Sequence, residues 1–108
     1  MKYQALSAQY AVAPQISPQD ITTIKSDGFG IVVCNRPDGE APDQPTADSI
    51  HKACEEAGLE FLFCPMSGPE ADPADVARLR ELLAGEQKIF AYCRTGNRSN
   101  VFYQKAVE

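Results

Sequence analysis

Lys88-Ile89-Phe90-Ala91-Tyr92-Cys93-Arg94-Thr95-Gly96-Asn97-Arg98-Ser99 begins as an apolar, strand-like run, ends that run on a cysteine, and passes through a short glycine-containing loop and an arginine into a helix. A strand, a tight loop and a helix in that order make an anion cradle. Successive backbone N–H groups of such a loop point inward, and the helix behind it contributes its positive N-terminal end. The same field favours an ionised cysteine. A free thiol titrates near ~8.5, and helix N-termini with nearby cations lower that by roughly one to five units, which makes the sulfur nucleophilic at neutral pH.

Each loop residue has a chemical reading and a plainer one. Gly96 lets the backbone turn through positive φ and bring its N–H to an anion, as glycine does in many tight turns. Ser99 is either a hydroxyl donor to the thiolate or the N-cap of the last helix. Arg98 is either the bidentate clamp that closes the cradle or a solvated charge. Arg94, Thr95 and Asn97 complete the ring around a bound substrate, and Arg36, which follows an earlier strand, is positioned to join it. Together these residues argue against a merely structural cysteine, which has no need of two arginines and a glycine at the mouth of a helix.

Outward from this stretch, strands and helices alternate. Tyr10-Ala11-Val12 reads as a short first strand, and Ser17-Pro18-Gln19-Asp20 supplies a cap, a proline at the first helical position and an acid for a helix to about Lys25. Phe29 to Cys34 is apolar throughout, as in a strand covered on both faces. A proline- and acid-rich loop over 35–45 follows. Thr46 caps a helix with Ala47, Ile50, Ala53, Cys54 and Ala57 on one face, closed by Gly58. Residues 59–64 form the next strand. Asp72-Pro73-Ala74-Asp75 opens a third helix in capping-box fashion, with Val76, Leu79, Leu82 and Leu83 as its buried stripe, and a last helix is expected over 99–107. The alternation predicts a small three-layer α/β fold, one domain over 1–108, with a mainly parallel sheet of about four strands. Ligands of such sheets bind beyond the carboxyl ends of the strands, where Cys93, Arg36 and Cys64 fall.

Composition narrows the function. The 108 residues carry a net charge of −5 with only five arginines, three of which follow strands. An acidic surface with a local basic patch guides a small anion and disfavours nucleic acid or an anionic membrane. No apolar run reaches the ~18–20 residues of a membrane span and the N-terminus lacks the apolar stretch of a signal peptide, so a cytoplasmic location is the default expectation. Cys34, Cys54, Cys64 and Cys93 have no metal or redox-pair spacing, and neither a metal nor a cofactor is expected.

The pattern Cys-Arg-x-Gly-x-Arg, carried here by Cys93, Arg94, Gly96 and Arg98, resembles the active-site loop of rhodanese-type sulfurtransferases. Four residues separate Cys93 from Arg98, one fewer than in the Cys-x5-Arg loop of tyrosine phosphatases. Together with Asn35-Arg36-Pro37-Asp38-Gly39-Glu40, nearly the whole chain is similar to the phosphatase-like domain of bacterial beta-lactamase-hydrolase-like proteins. That resemblance implies a tyrosine-phosphatase-like fold, a link to sulfur transfer, and partners such as a persulfide dioxygenase or a sulfide-oxidising flavoprotein.

Two reactions follow as expectations. In the first, Cys93 takes a sulfane sulfur from a small anionic donor such as thiosulfate or a persulfide and passes it to a thiol. In the alternative, Cys93 attacks a phosphate ester, Arg98 clamps the phosphate and Asp38 is the general acid. A third possibility is a sulfur carrier or anion-binding module without turnover. Asp38 also reads simply as the turn residue of Pro-Asp-Gly, Cys34 and Cys64 as packing residues or sulfur relays, and His51 as a helix-flank histidine rather than a base.

Overall fold

The computed structural model describes all 108 residues. Five strands, β1 (Gln4–Ala5), β2 (Tyr10–Ala13), β3 (Phe29–Cys34), β4 (Glu60–Phe63) and β5 (Lys88–Tyr92), form one sheet in the order β1-β2-β5-β3-β4. β2, β5, β3 and β4 run parallel, and β1 pairs antiparallel with β2 at the edge. The expected four strands are present. The additional strand, β1, is two exposed residues long and carries no apolar alternation that would announce it.

Apart from Lys88 at the start of β5, the central strands carry no charged side chain, because both sheet faces are covered. Val32, Cys34, Phe90 and Tyr92 face α1 (Ile21–Ser26) and α2 (Ala47–Ala57), while Ile31, Val33, Ile89 and Ala91 face α3 (Pro73–Leu83) and α4 (Asn97–Val107). Each fully buried Ile, Val or Phe in these layers contributes roughly 1.5–3 kcal/mol relative to exposure. β4 is the other edge, and Phe63 at its end is 45% exposed.

Helix ends follow the capping signals. The Asp20 carboxylate accepts from the Ser17 N–H at 2.9 Å, Thr46 Oγ1 accepts from Ser49 N–H at 3.1 Å, and Gly58 leaves α2 in the left-handed conformation at φ 81°. Asp72 accepts from Ala74 N–H at 2.9 Å, but no side chain returns to the Asp72 N–H, so the expected capping box is a single cap. α4 begins two residues earlier than expected, at Asn97, with Gly96 as its N-cap.

Register decides what stands at the carboxyl end of the sheet. Ala13, Tyr92, Cys34 and Phe63 lie abreast on β2, β5, β3 and β4. The next residue of each strand, Pro14, Cys93, Asn35 and Cys64, therefore opens onto one edge. No helix is long and apolar enough to cross a membrane.

Candidate active site around Cys93

β5 delivers Cys93 to the centre of that edge, and α4 starts only four residues later. The connecting loop is bolted to the end of β2, with Cys93 N–H donating to Ala13 O and Gln15 N–H donating to Arg94 O, both at 3.3 Å. Gly96 makes the turn at φ 96°, a conformation that side chains rarely adopt, and its N–H donates to Cys93 Sγ at 3.0 Å. Cys93 itself is completely buried.

Burial by itself pushes a thiol up. At Cys93 that push is outweighed: the backbone N–H groups of Ser99, Thr95 and Gly96 and the Ser99 hydroxyl converge on the sulfur and leave its pKa below the ordinary value. Hydrogen bonds to the charged form win over desolvation here. Ser99 is thus not the N-cap. It lies inside the first turn of α4, fully buried, and its hydroxyl has no hydrogen-bond partner in this arrangement, which leaves it free to donate to the thiolate.

The remaining expected site residues divide. Arg98 joins the site, next to the Cys93 sulfur, which helps to raise the pKa of its guanidinium after the larger effect of Glu40. Nη1 and Nη2 of Arg98 donate to the two Glu40 oxygens at 2.7 and 2.8 Å, and Nη1 also donates to Met66 O at 2.7 Å. Arg36 arrives through the same carboxylate: it is 5% exposed, and its Nε donates to Glu40 Oε1 and its Nη1 to Gln15 Oε1, both at 3.0 Å. Thr95 Oγ1 accepts from Asn97 N–H at 3.2 Å, and Arg94 and Asn97 point their side chains into solvent. Asp38 Oδ1 accepts from Ala47 N–H at 2.8 Å, which ties the carboxylate to the start of α2.

Glu40 is the residue that sequence reasoning missed. Arg98 holds its carboxyl down to about 2, with Arg36 adding to the effect, so it is a permanent anion and not a proton donor. The sequence offers only its position four after Arg36; the pairing with a residue 58 positions away has no local sign.

The other thiols differ from Cys93. Cys34 donates to Arg36 O at 3.3 Å and lies beside the Tyr92 hydroxyl, and burial raises its pKa. Burial pushes Cys54 up to about 11 and Cys64 up to about 12. His51 stacks on Phe61 with ring centroids 4.9 Å apart, on the flank of α2, as expected of a structural histidine. A cleft of about 430 Å³ lies on the outer side of the cysteine loop, between Thr95, Gly96 and Asn97 and the Lys2 and Gln4 side of the β1–β2 hairpin.

Comparison with known proteins joins this geometry to a family. The model of the phosphatase-like domain of beta-lactamase hydrolase-like proteins matches residues 2–107. The chain belongs to this family. The beta-lactamase hydrolase-like protein of Agrobacterium fabrum is 32% identical over 104 residues, which is 95% of this chain and 24% of that protein, and the Xylella fastidiosa (Temecula1) relative is 28% identical over the same shares. This phosphatase-like domain thus spans about a quarter of the length of the curated relatives it matches. A crystal structure of a candidate phosphatase from Neisseria meningitidis superposes with a TM-score of 0.79 at 31% identity, covering 93% of this chain and 72% of that one. Pseudomonas aeruginosa TpbA in complex with phosphotyrosine shares the fold, with a TM-score of 0.62 at 17% identity over 93% of this chain and 64% of that one. The tyrosine-phosphatase-like fold implied by the resemblance of the whole chain is the fold observed. The descriptions of these relatives favour the phosphatase reading over the sulfur-transfer reading.

Proposed function

We propose that this phosphatase-like domain is a cysteine-dependent phosphatase acting on a phosphate monoester. The observation that carries the reading is the buried Cys93 sulfur, held below the ordinary thiol pKa by the N–H groups of Ser99, Thr95 and Gly96. The thiolate attacks phosphorus, an S–P bond forms, and the P–O bond to the leaving alcohol breaks. The alkoxide takes a proton from Asp38 or from water. Water then attacks the phosphocysteine, releasing inorganic phosphate and restoring the thiolate. Inward N–H groups and Arg98 stabilise the charge on the transferring oxygens. The phosphotyrosine bound by TpbA, a protein of the same fold, supports an aryl phosphate as first substrate to try.

Sulfur transfer is the second reading, and two observations favour it. Only four residues separate Cys93 from Arg98, a tight ring for a tetrahedral dianion, and the candidate acid Asp38 is engaged at the start of α2. Here the thiolate attacks the outer sulfur of thiosulfate, sulfite leaves, and an acceptor thiolate removes the sulfur from the Cys93 persulfide. That reaction needs no acid, and its partner is an enzyme that makes or consumes persulfides. Paired assays on the wild type, Cys93→Ser and Asp38→Ala decide between them. Aryl phosphate hydrolysis dependent on Cys93 and Asp38 supports the phosphatase; a gain of one sulfur on Cys93 after thiosulfate treatment, without phosphate release, overturns it in favour of transfer.

A further inference from the structure

The basic patch expected to receive an anion already holds one. Glu40 bridges Arg36 and Arg98 with both carboxylate oxygens, and the Arg98 fork is further committed to Met66 O. Arg36 and Arg98 share the Glu40 carboxylate, so part of their positive charge is already neutralised before any ligand arrives. Cys93 has no exposed surface in this arrangement. A phosphate or thiosulfate dianion reaching Arg98 therefore meets a carboxylate in the same geometry.

We propose that Glu40 is a tethered competitor for the substrate anion and thereby a specificity-determining residue of the site. The substrate's oxygens replace Glu40 on Arg98, while the bond from Arg36 Nε keeps the displaced carboxylate within reach. The 35–46 loop holds its backbone in place while leaving the Glu40 side chain room to swing. Gly39, next to Glu40, turns at φ 80° with nothing crowding it, and Gln44 anchors the loop on either side through Pro37 O and the Glu40 N–H, at 2.9 and 3.1 Å. Because Glu40 stays charged at any working pH, it disfavours dianions relative to monoanions. The cradle then selects ligands of low charge, or ligands whose remainder gains enough contact elsewhere to displace it.

This inference rests on the reading of the cradle as the substrate site, and its test reads the two separately. Inorganic phosphate binding is measured by calorimetry on the wild type and on Glu40→Gln, which keeps the size of the side chain and removes its charge. Removing a charge-assisted competitor is expected to tighten phosphate binding by about tenfold in the variant. Glu40→Asp, too short to span both arginines, is expected to show the same direction with a smaller change. It carries the test if Glu40→Gln does not fold. Equal or weaker phosphate binding, or none in any variant, overturns the competitor role; weaker binding assigns Glu40 to holding Arg98 in place instead. Iodoacetamide modification of Cys93, followed by peptide mass spectrometry on the same proteins, reports the nucleophile independently of Glu40. A slow, ordinary rate there defeats the proposed function whatever phosphate does.

Discussion

Cys93 and Cys64 both follow the last residue of a parallel strand and both are buried, yet their thiols are driven in opposite directions. At Cys64 no ring of donors opposes desolvation; the Arg78 charge pulls the other way but is outweighed, and burial with the nearby Asp75 charge pushes the thiol up to about 12. At Cys93 the chain turns immediately through Gly96 into α4, and three backbone N–H groups with one hydroxyl reverse the sign. After Cys64 the chain continues into the 65–72 loop, and its N–H groups serve other partners, such as Met66 N–H donating to Asn35 O at 2.9 Å. Burial is shared by the two sites; the direction of the following amides is not. Reactivity at the edge of this sheet is thus a property of loop geometry.

The comparison breaks most sharply at the sulfur itself. Cys93→Ser is expected to lower turnover by at least about a thousandfold in whichever Cys93-dependent assay is active, while Cys64→Ser leaves turnover within a few-fold of the wild type, because the proposed reaction uses only Cys93 as nucleophile. Steady-state rates check both. Loss of Cys64 with equal damage to turnover, in a protein that still unfolds cooperatively, contradicts the division.

Ser99→Ala removes one donor from the ring and keeps the backbone N–H groups. Loss of a hydrogen bond to a charged group corresponds to roughly 1.5–3 kcal/mol, so the Cys93 pKa rises and the rate near pH 7 falls by about ten- to a hundredfold. The expected result is a pH–rate profile displaced to higher pH, with the plateau largely recovered there.

Gly96→Ala tests the turn. An added Cβ would sit 3.5 Å from the Ala13 carbonyl, an ordinary contact, so the cost comes from φ 96° and is about 1–2 kcal/mol of stability, read from urea unfolding. Asp38→Ala separates the two readings of that carboxylate. As an anchor for the α2 terminus alone, its loss costs about 1 kcal/mol and leaves turnover unchanged; as a general acid, it also lowers turnover on esters with poor leaving groups.

Alkaline stability reports the opposite side of the comparison. Cys54 and Cys64 have folded pKa values of about 11 and about 12 against an ordinary 9.0, so above pH 9 the unfolded chain gives up protons that the folded chain retains. Stability from these groups is complete below pH 9 and declines as pH rises through 9–12. Cys93 has the reverse sign: its lowered pKa adds stability that is complete above the ordinary thiol value and fades as pH falls through the folded one. Urea midpoints between pH 9 and 11 are expected to fall, with a shallower decline in Cys64→Ala than in the wild type.

Much of this molecule was legible in the chain. The apolar runs of β3 and β5 could not be surface strands, and the Thr46 to Gly58 and Asp72 to Pro73 signals marked helix ends that the structure contains. The cysteine loop announced itself because local backbone conformation is encoded locally, in Gly96 and in the helix that follows. What escaped depends on distant partners or on weak patterns. β1 is held by pairing with β2 and not by apolar burial, Ser99 moved from cap to buried donor once α4 started two residues earlier, and Glu40 acquires its role only when β3 and β5 pair side by side and bring Arg36 and Arg98 together.

The most direct test is the pH dependence of iodoacetamide modification at Cys93 in the native protein, compared with the same cysteine in urea. The account predicts a native titration midpoint below that of the unfolded chain, with Cys64 unreactive across the same range. A native midpoint at or above the unfolded one would contradict it.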